Sequence, residues 1–345
     1  MKIIVDENIA FATEAFSQFG NVELVHGRKI NNQVVRDADV LIVRSITKVS
    51  KELLQNTKVK FVGTATIGSD HIDKDYLSAN NIIFTDAKGC NAFAVVEYFL
   101  AALFKLLSSE NKNVKDLSIG IIGVGDIGSK IENVATALGM KTFLSDPPLK
   151  RKSNDPKFLE IEKLFQADII TLHTPLTYSG VDKTFHLLDY EKLSAMKNGT
   201  IIINTSRGEV VDNKVLNELI VEKQFKVILD VWENEPNINL ELLQKVKIGT
   251  PHIAGYSLEG KTNGTKIIYD ALSDFCNAEK IWEPILPDVI DNVIESNSIS
   301  VAKILNQIFD RIYDVEQDSD NLKNIFSTES KNVAQHFDEL RKNRS

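Results

Sequence analysis

The sequence is poor in cysteine. Its two thiols, Cys90 and Cys276, form no CxxC pair, which excludes a disulfide framework and a cysteine-rich zinc site and fits a reducing compartment. No apolar run is clean enough to span a bilayer. The greasiest, Ala92 to Leu107, is broken by Glu97 and Lys105 and predicts a buried helix instead. The opening residues, Met1 to Asp6, read as a strand and lack the apolar core and small-residue cleavage site of a signal peptide. A cytoplasmic protein is therefore expected, with no membrane partner. Positive charge is scarce as well: 40 Lys and Arg against 48 Asp and Glu give a formal net charge of -8, which argues against a nucleic-acid partner. An anionic substrate remains open, provided a local cluster of cations and backbone N–H groups meets it.

What is present suits a protein with real cores. Hydrophobic residues make up 43% and charged residues 26% of 345 residues, enough for two or three domains. From the start to about residue 90, short β-branched runs alternate with helical patterns: Ile3–Val5, Val22–Val25, Val40–Val43, Phe61–Val62 and Ile82–Phe84. A second such series runs through Ile119–Ile122, Lys141–Leu144, Ile169–Leu172, Thr200–Asn204 and Val227–Leu229. Strands separated by helices imply α/β architecture with parallel sheets, and only the second series carries a glycine fingerprint. Beyond Pro287, Val301, Ile304, Leu305, Ile308 and Ile312 share one helical face. An acidic, polar stretch follows, Asp314 to Asn321, then a last helical segment near Val333 to Leu340. That tail is too small for a robust core of its own and predicts an appendage.

The fingerprint is Gly123-Val124-Gly125-Asp126-Ile127-Gly128. It follows an apolar strand and opens a helical pattern, the context that gives GxGxxG its meaning. The glycines allow a tight turn and close approach of a pyrophosphate, and the first-turn amides, Asp126 and Ile127 among them, face it with the helix dipole behind. Asp146, closing the next strand, stands at the spacing needed to grip the ribose hydroxyls and favours NAD over NADP by repelling a 2′-phosphate. Lys150, Arg151 and Lys152 lie just beyond and could accommodate such a phosphate, so the preference is not absolute.

Hydride removal from an alcohol needs a base, and histidine suits that task near neutral pH. Of six histidines, His252 lies in the loop-like segment Thr250 to Tyr256, after the last strand of the fingerprint block. Open α/β sheets carry their sites at the carboxyl ends of strands. Arg207, in Asn204-Thr205-Ser206-Arg207-Gly208, follows one strand there, and its guanidinium can grip a carboxylate through two parallel hydrogen bonds. Glu235 follows another strand, and a carboxylate bonded to an imidazole stabilises its protonated form. Taken singly, the arginine reads equally as a surface cation and the glutamate as a solvated acid. No metal site is expected.

In this order and these motifs, Arg207, Glu235 and His252 resemble the catalytic set of the D-2-hydroxyacid dehydrogenase family, over about residues 1 to 285. Within the family the likeness is sharpest to the branch that oxidises 4-phospho-D-erythronate in vitamin B6 synthesis. It rests on Leu41 to Val49 (LIVRSITKV), Gly63 to Asp73 (GTATIGSDHID), Gly89 to Tyr98 (GCNAFAVVEY) and Pro251 to Gly260 (PHIAGYSLEG). The resemblance implies two doubly wound parallel-sheet domains, a flavodoxin-like lid or substrate domain over 1–92 and 257–285 and a Rossmann NAD domain over 93–256. It also implies a small α-containing dimerisation domain over 286–345, shortened because the family's chain runs on where this one stops at Ser345, and hence a homodimer. Ser45, Thr66 and Tyr256 would contact a phosphorylated 2-hydroxy acid. Asp146, Thr174, Ser206, Asp230 and Gly255 would line the NAD site. Arg44, beside Ser45, is our own candidate for the substrate phosphate. Two other functions stay in view: dehydrogenation of another 2-hydroxy acid such as 3-phosphoglycerate, and NAD sensing without turnover.

Overall fold

Alternation along each strand sorts the apolar side chains into two layers. In the first sheet, Ile3, Val5, Val40 and Ile42 face one core cluster while Ile4, Leu41 and Val43 face another. A strand apolar on both faces must be covered on both, as in parallel sheets flanked by helices. The computed structural model has this arrangement twice. It describes residues 1–110, 112–287, 293–298, 301–327 and 332–343.

The chain divides into two units, Met1–Asn91 with Tyr256–Ile290, and Ala92–Gly255 with Asp291–Ser345. The first unit holds β1 (Lys2–Asp6), β2 (Asn21–Val25), β3 (Val40–Val43), β4 (Phe61–Thr64) and β5 (Ile83–Asp86) in the order β2-β1-β3-β4-β5. Every pairing is parallel, and the order is that of flavodoxin-like folds. The Leu258–Cys276 helix belongs to this unit and lays Ile268, Tyr269 and Leu272 against Ile3, Val5 and Phe61.

The second unit holds β6 (Ser118–Ile122), β7 (Lys141–Ser145), β8 (Ile169–Leu172), β9 (Ile201–Asn204), β10 (Lys226–Leu229) and β11 (Ile248–Gly249), ordered β11-β10-β9-β8-β6-β7. All are parallel. The chain winds from β6 outward to β7, then crosses back to β8 on the other side. The switch point therefore lies between β6 and β8, where Ile122 pairs with Leu172. The Ala92–Glu110 helix is buried within this unit, and among the described residues no helix is long and apolar enough to cross a membrane. Its interrupting Lys105 reaches Glu316 at 2.8 Å.

The tail departs from expectation in two ways. The stripe on the Val301–Ile312 helix is only partly covered: Phe309, which was not counted in it, is the buried contact, stacked on Phe104 at 5.7 Å, while Ile312 is 56% exposed. The acidic stretch is itself a helix, Val315–Lys323, capped by the Asp314 carboxylate, which accepts from the Gln317 amide. Its buried residues Val315, Asp318, Ser319 and Leu322 share a face, and the Ser319 hydroxyl accepts from the amide of Gly249 in β11. The last helix, Val333–Asn343, buries Phe337 completely. Residues 288–292, 299–300, 328–331 and 344–345 of the 286–345 block lie outside the described residues, as does the side chain of Val301.

Candidate active site

The fingerprint turn sits at the switch point. Gly123 has φ +86, a backbone open to glycine at little cost, and a Cβ there would meet the His173 carbonyl at 2.7 Å. A Cβ on Gly128 would stand 2.0 Å from the Gly123 oxygen, so the helix that begins at Gly128 closes tightly on the turn. At Gly125 a Cβ would meet nothing within 4 Å, and Gly125 and Asp126 are exposed. Space is thus kept for an anion in front of the helix amides of Ile127 and Gly128. Asp146 closes β7, takes the Val124 amide on one carboxylate oxygen at 2.8 Å and caps the Pro147–Ser153 helix with the other. Thr174, just past β8, has a buried hydroxyl without a partner. A tight turn, an open approach, a carboxylate at the end of β7 and an orphan hydroxyl together fit a dinucleotide. Lys150 and Arg151, which could have met a 2′-phosphate, are paired with Glu160 and Asp182.

His173, between this turn and β9, was not singled out in the sequence. Its Nε2 pairs with the Thr171 hydroxyl at 2.8 Å and its Nδ1 lies 3.5 Å from the Thr205 hydroxyl. Burial lowers its pKa to about 3, so the ring stays neutral.

Three neighbouring strands end in line, because Leu229 of β10 pairs with both Asn204 of β9 and Gly249 of β11. After β9, the Asn204 side chain folds the turn: its oxygen accepts from the amide and hydroxyl of Ser206, and its NH2 donates to the Arg207 carbonyl. Arg207 therefore departs from a buried, hydrogen-bonded hinge. After β10, the Glu235 carboxylate turns back to accept from the Trp232 amide at 2.9 Å. Its second oxygen receives His252 Nδ1 at 2.7 Å.

Glu235 is largely buried. Burial pushes its carboxyl up, but the charge and hydrogen bond of His252, the Trp232 amide and the charge of Arg341 together hold it below the usual range. An ionised carboxylate can only accept, so Nδ1 must donate and Nε2 of a neutral ring carries the lone pair. His252 itself adopts a left-handed backbone, φ 57. Asp230 holds that conformation: its carboxylate takes the amides of Ile253 and Ala254 and the Thr250 hydroxyl, and its carbonyl takes the His252 amide at 2.7 Å. Burial raises the pKa of Asp230 despite the nearby His252 charge and these donors. Trp232 Nε1 and the Tyr98 hydroxyl secure Thr250 from the other side. Asp230, expected to line the NAD site, thus has both carboxylate oxygens engaged by this loop, of which Gly255 is the next residue.

In the first unit, Arg44 and the exposed Ser45 follow β3, and Thr66 follows β4. The Thr66 hydroxyl pairs with that of Thr64, which in turn meets His71 Nε2 at 3.0 Å. Tyr256 has Lys261 over its ring at 5.4 Å. Burial lowers the pKa of Lys261, and the like charge of Arg44 lowers it further. Arg44 thus lies close enough for its charge to act on Lys261, and Lys261 went unnoticed in the sequence because it sits on the solvent-side pattern of a helix.

Residues 103–254 match the family described as D-isomer specific 2-hydroxyacid dehydrogenase, NAD binding domain. That span contains the glycine turn and all three strand-end side chains, which makes the chain an NAD-dependent dehydrogenase of the 2-hydroxyacid class. Solved structures agree. D-lactate dehydrogenase of Aquifex aeolicus, complexed with NAD and lactic acid, is 25% identical over 80% of this chain and 96% of its own, with a TM-score of 0.64. NAD-bound 3-phosphoglycerate dehydrogenase of Entamoeba histolytica is also 25% identical, over 80% and 95%, with a TM-score of 0.68. A nearer likeness is the erythronate-4-phosphate dehydrogenase of Photorhabdus laumondii, 43% identical over 99% of this chain and 91% of that protein. The chain belongs to the erythronate-4-phosphate dehydrogenase family.

Proposed function

We propose that the protein oxidises 4-phospho-D-erythronate at C2 to 3-hydroxy-2-oxo-4-phosphobutanoate, a step toward pyridoxal phosphate. The observation that carries the reading is the His252–Glu235 pair, 2.7 Å apart, with Nε2 left as the basic nitrogen. NAD, when bound, supplies the acceptor for the hydride that leaves C2. The residues of the chain do the rest. Arg207 grips the substrate carboxylate by two parallel hydrogen bonds and polarises the neighbouring carbon–oxygen bond. His252 Nε2 takes the hydroxyl proton, and Glu235 stabilises the imidazolium that forms. Arg44 and Lys261 take the phosphate, and Ser45, Thr66 and Tyr256 read the carbon chain between the charged ends. Asp146 holds the ribose; Thr174, Ser206 and Gly255 line the cofactor site with the Gly123–Gly128 turn.

By the same reading residues 93–256 form the NAD domain, 1–92 with 257–285 the substrate domain, and 286–345 a dimerisation segment. The exposed Ile312 supports the homodimer, and a monomer in gel filtration at micromolar concentration overturns it. The two unpaired cysteines suit a cytoplasmic setting.

The test is turnover by the purified protein of D-erythronate 4-phosphate, with 3-phosphoglycerate beside it. NAD and a 2-oxo acid acceptor are both supplied, and the 2-oxo product is assayed directly. Strong preference for erythronate 4-phosphate is expected. Preference for 3-phosphoglycerate discards the substrate-pocket reading of Ser45, Thr66 and Tyr256 and keeps the trio, and no turnover of either discards the assignment.

A further inference from the structure

Outside the reacting groups, one cluster ties their supports together. His186 lies on the long connection between β8 and β9, in a left-handed backbone conformation of φ 50. Its ring stacks on Phe185, with centroids 4.0 Å apart and planes 15° apart. Nε2 stands 2.5 Å from a Glu233 oxygen, and Nδ1 stands 3.3 Å from an Asp212 oxygen. Its amide donates to the Glu209 carbonyl at 2.7 Å. One ring thus engages both of the segments that matter: Asp212 ends the turn begun at Arg207, and Glu233 lies two residues before Glu235.

The two segments are also joined directly. The second Glu233 oxygen accepts from the Asn213 amide, and the Glu233 amide donates to the Asn213 side-chain oxygen, each at 3.2 Å. A Cβ on Gly208, the residue after Arg207, would fall 1.9 Å from the Trp232 carbonyl carbon, so backbone touches backbone there. Asp212 has a second task, capping the Asn213–Glu222 helix through the Val215 amide. The same three side chains bring ligand atoms within 4.8 Å of one another, spacing that a cation could use. Both ring nitrogens already face carboxylates, however, so the ring itself bridges the two acidic side chains.

We propose that His186 is a positioning residue: a clamp between Asp212 and Glu233 that fixes the Arg207 turn and the Glu235 turn relative to each other. The inference rests on the assignment of Arg207 and Glu235 to the reaction. Loss of the clamp lets the two turns drift, and displacement of a reacting group by about an ångström costs on the order of a hundredfold in rate.

The experiment uses the full-length enzyme with NAD and D-erythronate 4-phosphate, comparing His186→Ala, His186→Gln, Glu233→Gln and the His186→Ala/Glu233→Gln double variant. His186→Ala and Glu233→Gln are each expected to lower kcat by about tenfold to a hundredfold. NAD affinity should stay within about twofold of the parent, and the double variant should be no worse than the poorer single, the mark of one shared interaction. His186→Gln, able to donate to one carboxylate, should fall between. Multiplying losses, or a fall in melting temperature with kcat unmoved and no partial rescue by His186→Gln, makes His186 structural and overturns the proposal. His252→Ala is run alongside: if it too remains active, the catalytic assignment fails rather than the clamp.

Discussion

A methyl group added at Gly125 should leave the fold alone and damage only cofactor binding. The structure puts nothing within 4 Å of the new atom, and the backbone there is not left-handed. Folding stability of Gly125→Ala should therefore stay within about 0.5 kcal/mol of the parent. The methyl instead fills the approach that the pyrophosphate needs to reach the helix amides. One weakened charge-assisted hydrogen bond costs about 1.5–3 kcal/mol, which raises the NAD dissociation constant by roughly tenfold to a hundredfold. Gly128→Ala should do the reverse. Its methyl would lie 2.0 Å from the Gly123 carbonyl oxygen, a backbone atom that no side-chain rotation can move aside. Relief requires the helix or the turn to shift, at a cost of about 1–3 kcal/mol in stability before any ligand is added. Thermal unfolding of the ligand-free proteins and an NAD titration by tryptophan fluorescence separate the two. Parental NAD affinity in Gly125→Ala would refute the placement of the pyrophosphate, and equal destabilisation of both variants would refute the packing argument.

His252→Ala should lower kcat by ~10² or more, the scale of general acid–base catalysis, and a near-parental rate would remove His252 from the mechanism. Arg44→Ala and Lys261→Ala should each raise KM for D-erythronate 4-phosphate while leaving NAD affinity untouched; an unchanged KM would clear both of phosphate binding. His173 makes a pH prediction. Its folded pKa of about 3 lies below the ordinary 6.5, so the unfolded chain binds the proton first. The contribution is fully present above pH 6.5 and is lost as pH falls toward 3. Going from pH 6.5 to 5 should remove about 2 kcal/mol of stability, and chemical denaturation of His173→Gln over that range should show a slope flatter by that amount. An identical slope would mean the ring is protonated in the folded protein.

All strands but the two-residue β11 could be read from β-branched runs because parallel strands covered on two faces are apolar throughout, as Val40–Val43 and Ile201–Ile203 are. The glycine turn was legible because its spacing is set by backbone requirements. Partner choice was not. Nothing in the string near Asp230 says that its carboxylate spans the amides of Ile253 and Ala254, more than twenty residues away. His186, Asp212 and Glu233 are likewise distant in sequence and meet only because β9 and β10 are neighbours. The Val315–Lys323 helix was hidden for another reason. Its polar composition masks a burial face of four residues, two of them polar, and its start depends on a cap made by Asp314.

The left-handed backbone at His252 also bears on how this enzyme can change. Besides glycine, that conformation is tolerated mainly by Asn, Asp and His. Of these, only histidine has one nitrogen to hold Glu235 and another to move a proton. Lysine or glutamate, the common alternative bases, would meet a backbone penalty on the order of 1 kcal/mol or more on arrival. Mutation at this codon therefore leads downhill in nearly every direction. A new base could enter only after the Pro251–Ile253 turn and its Asp230 anchor had been rebuilt, which several coordinated changes would require. On the proposed role of His252, the backbone conformation therefore restricts which side chain can serve as the base at this position.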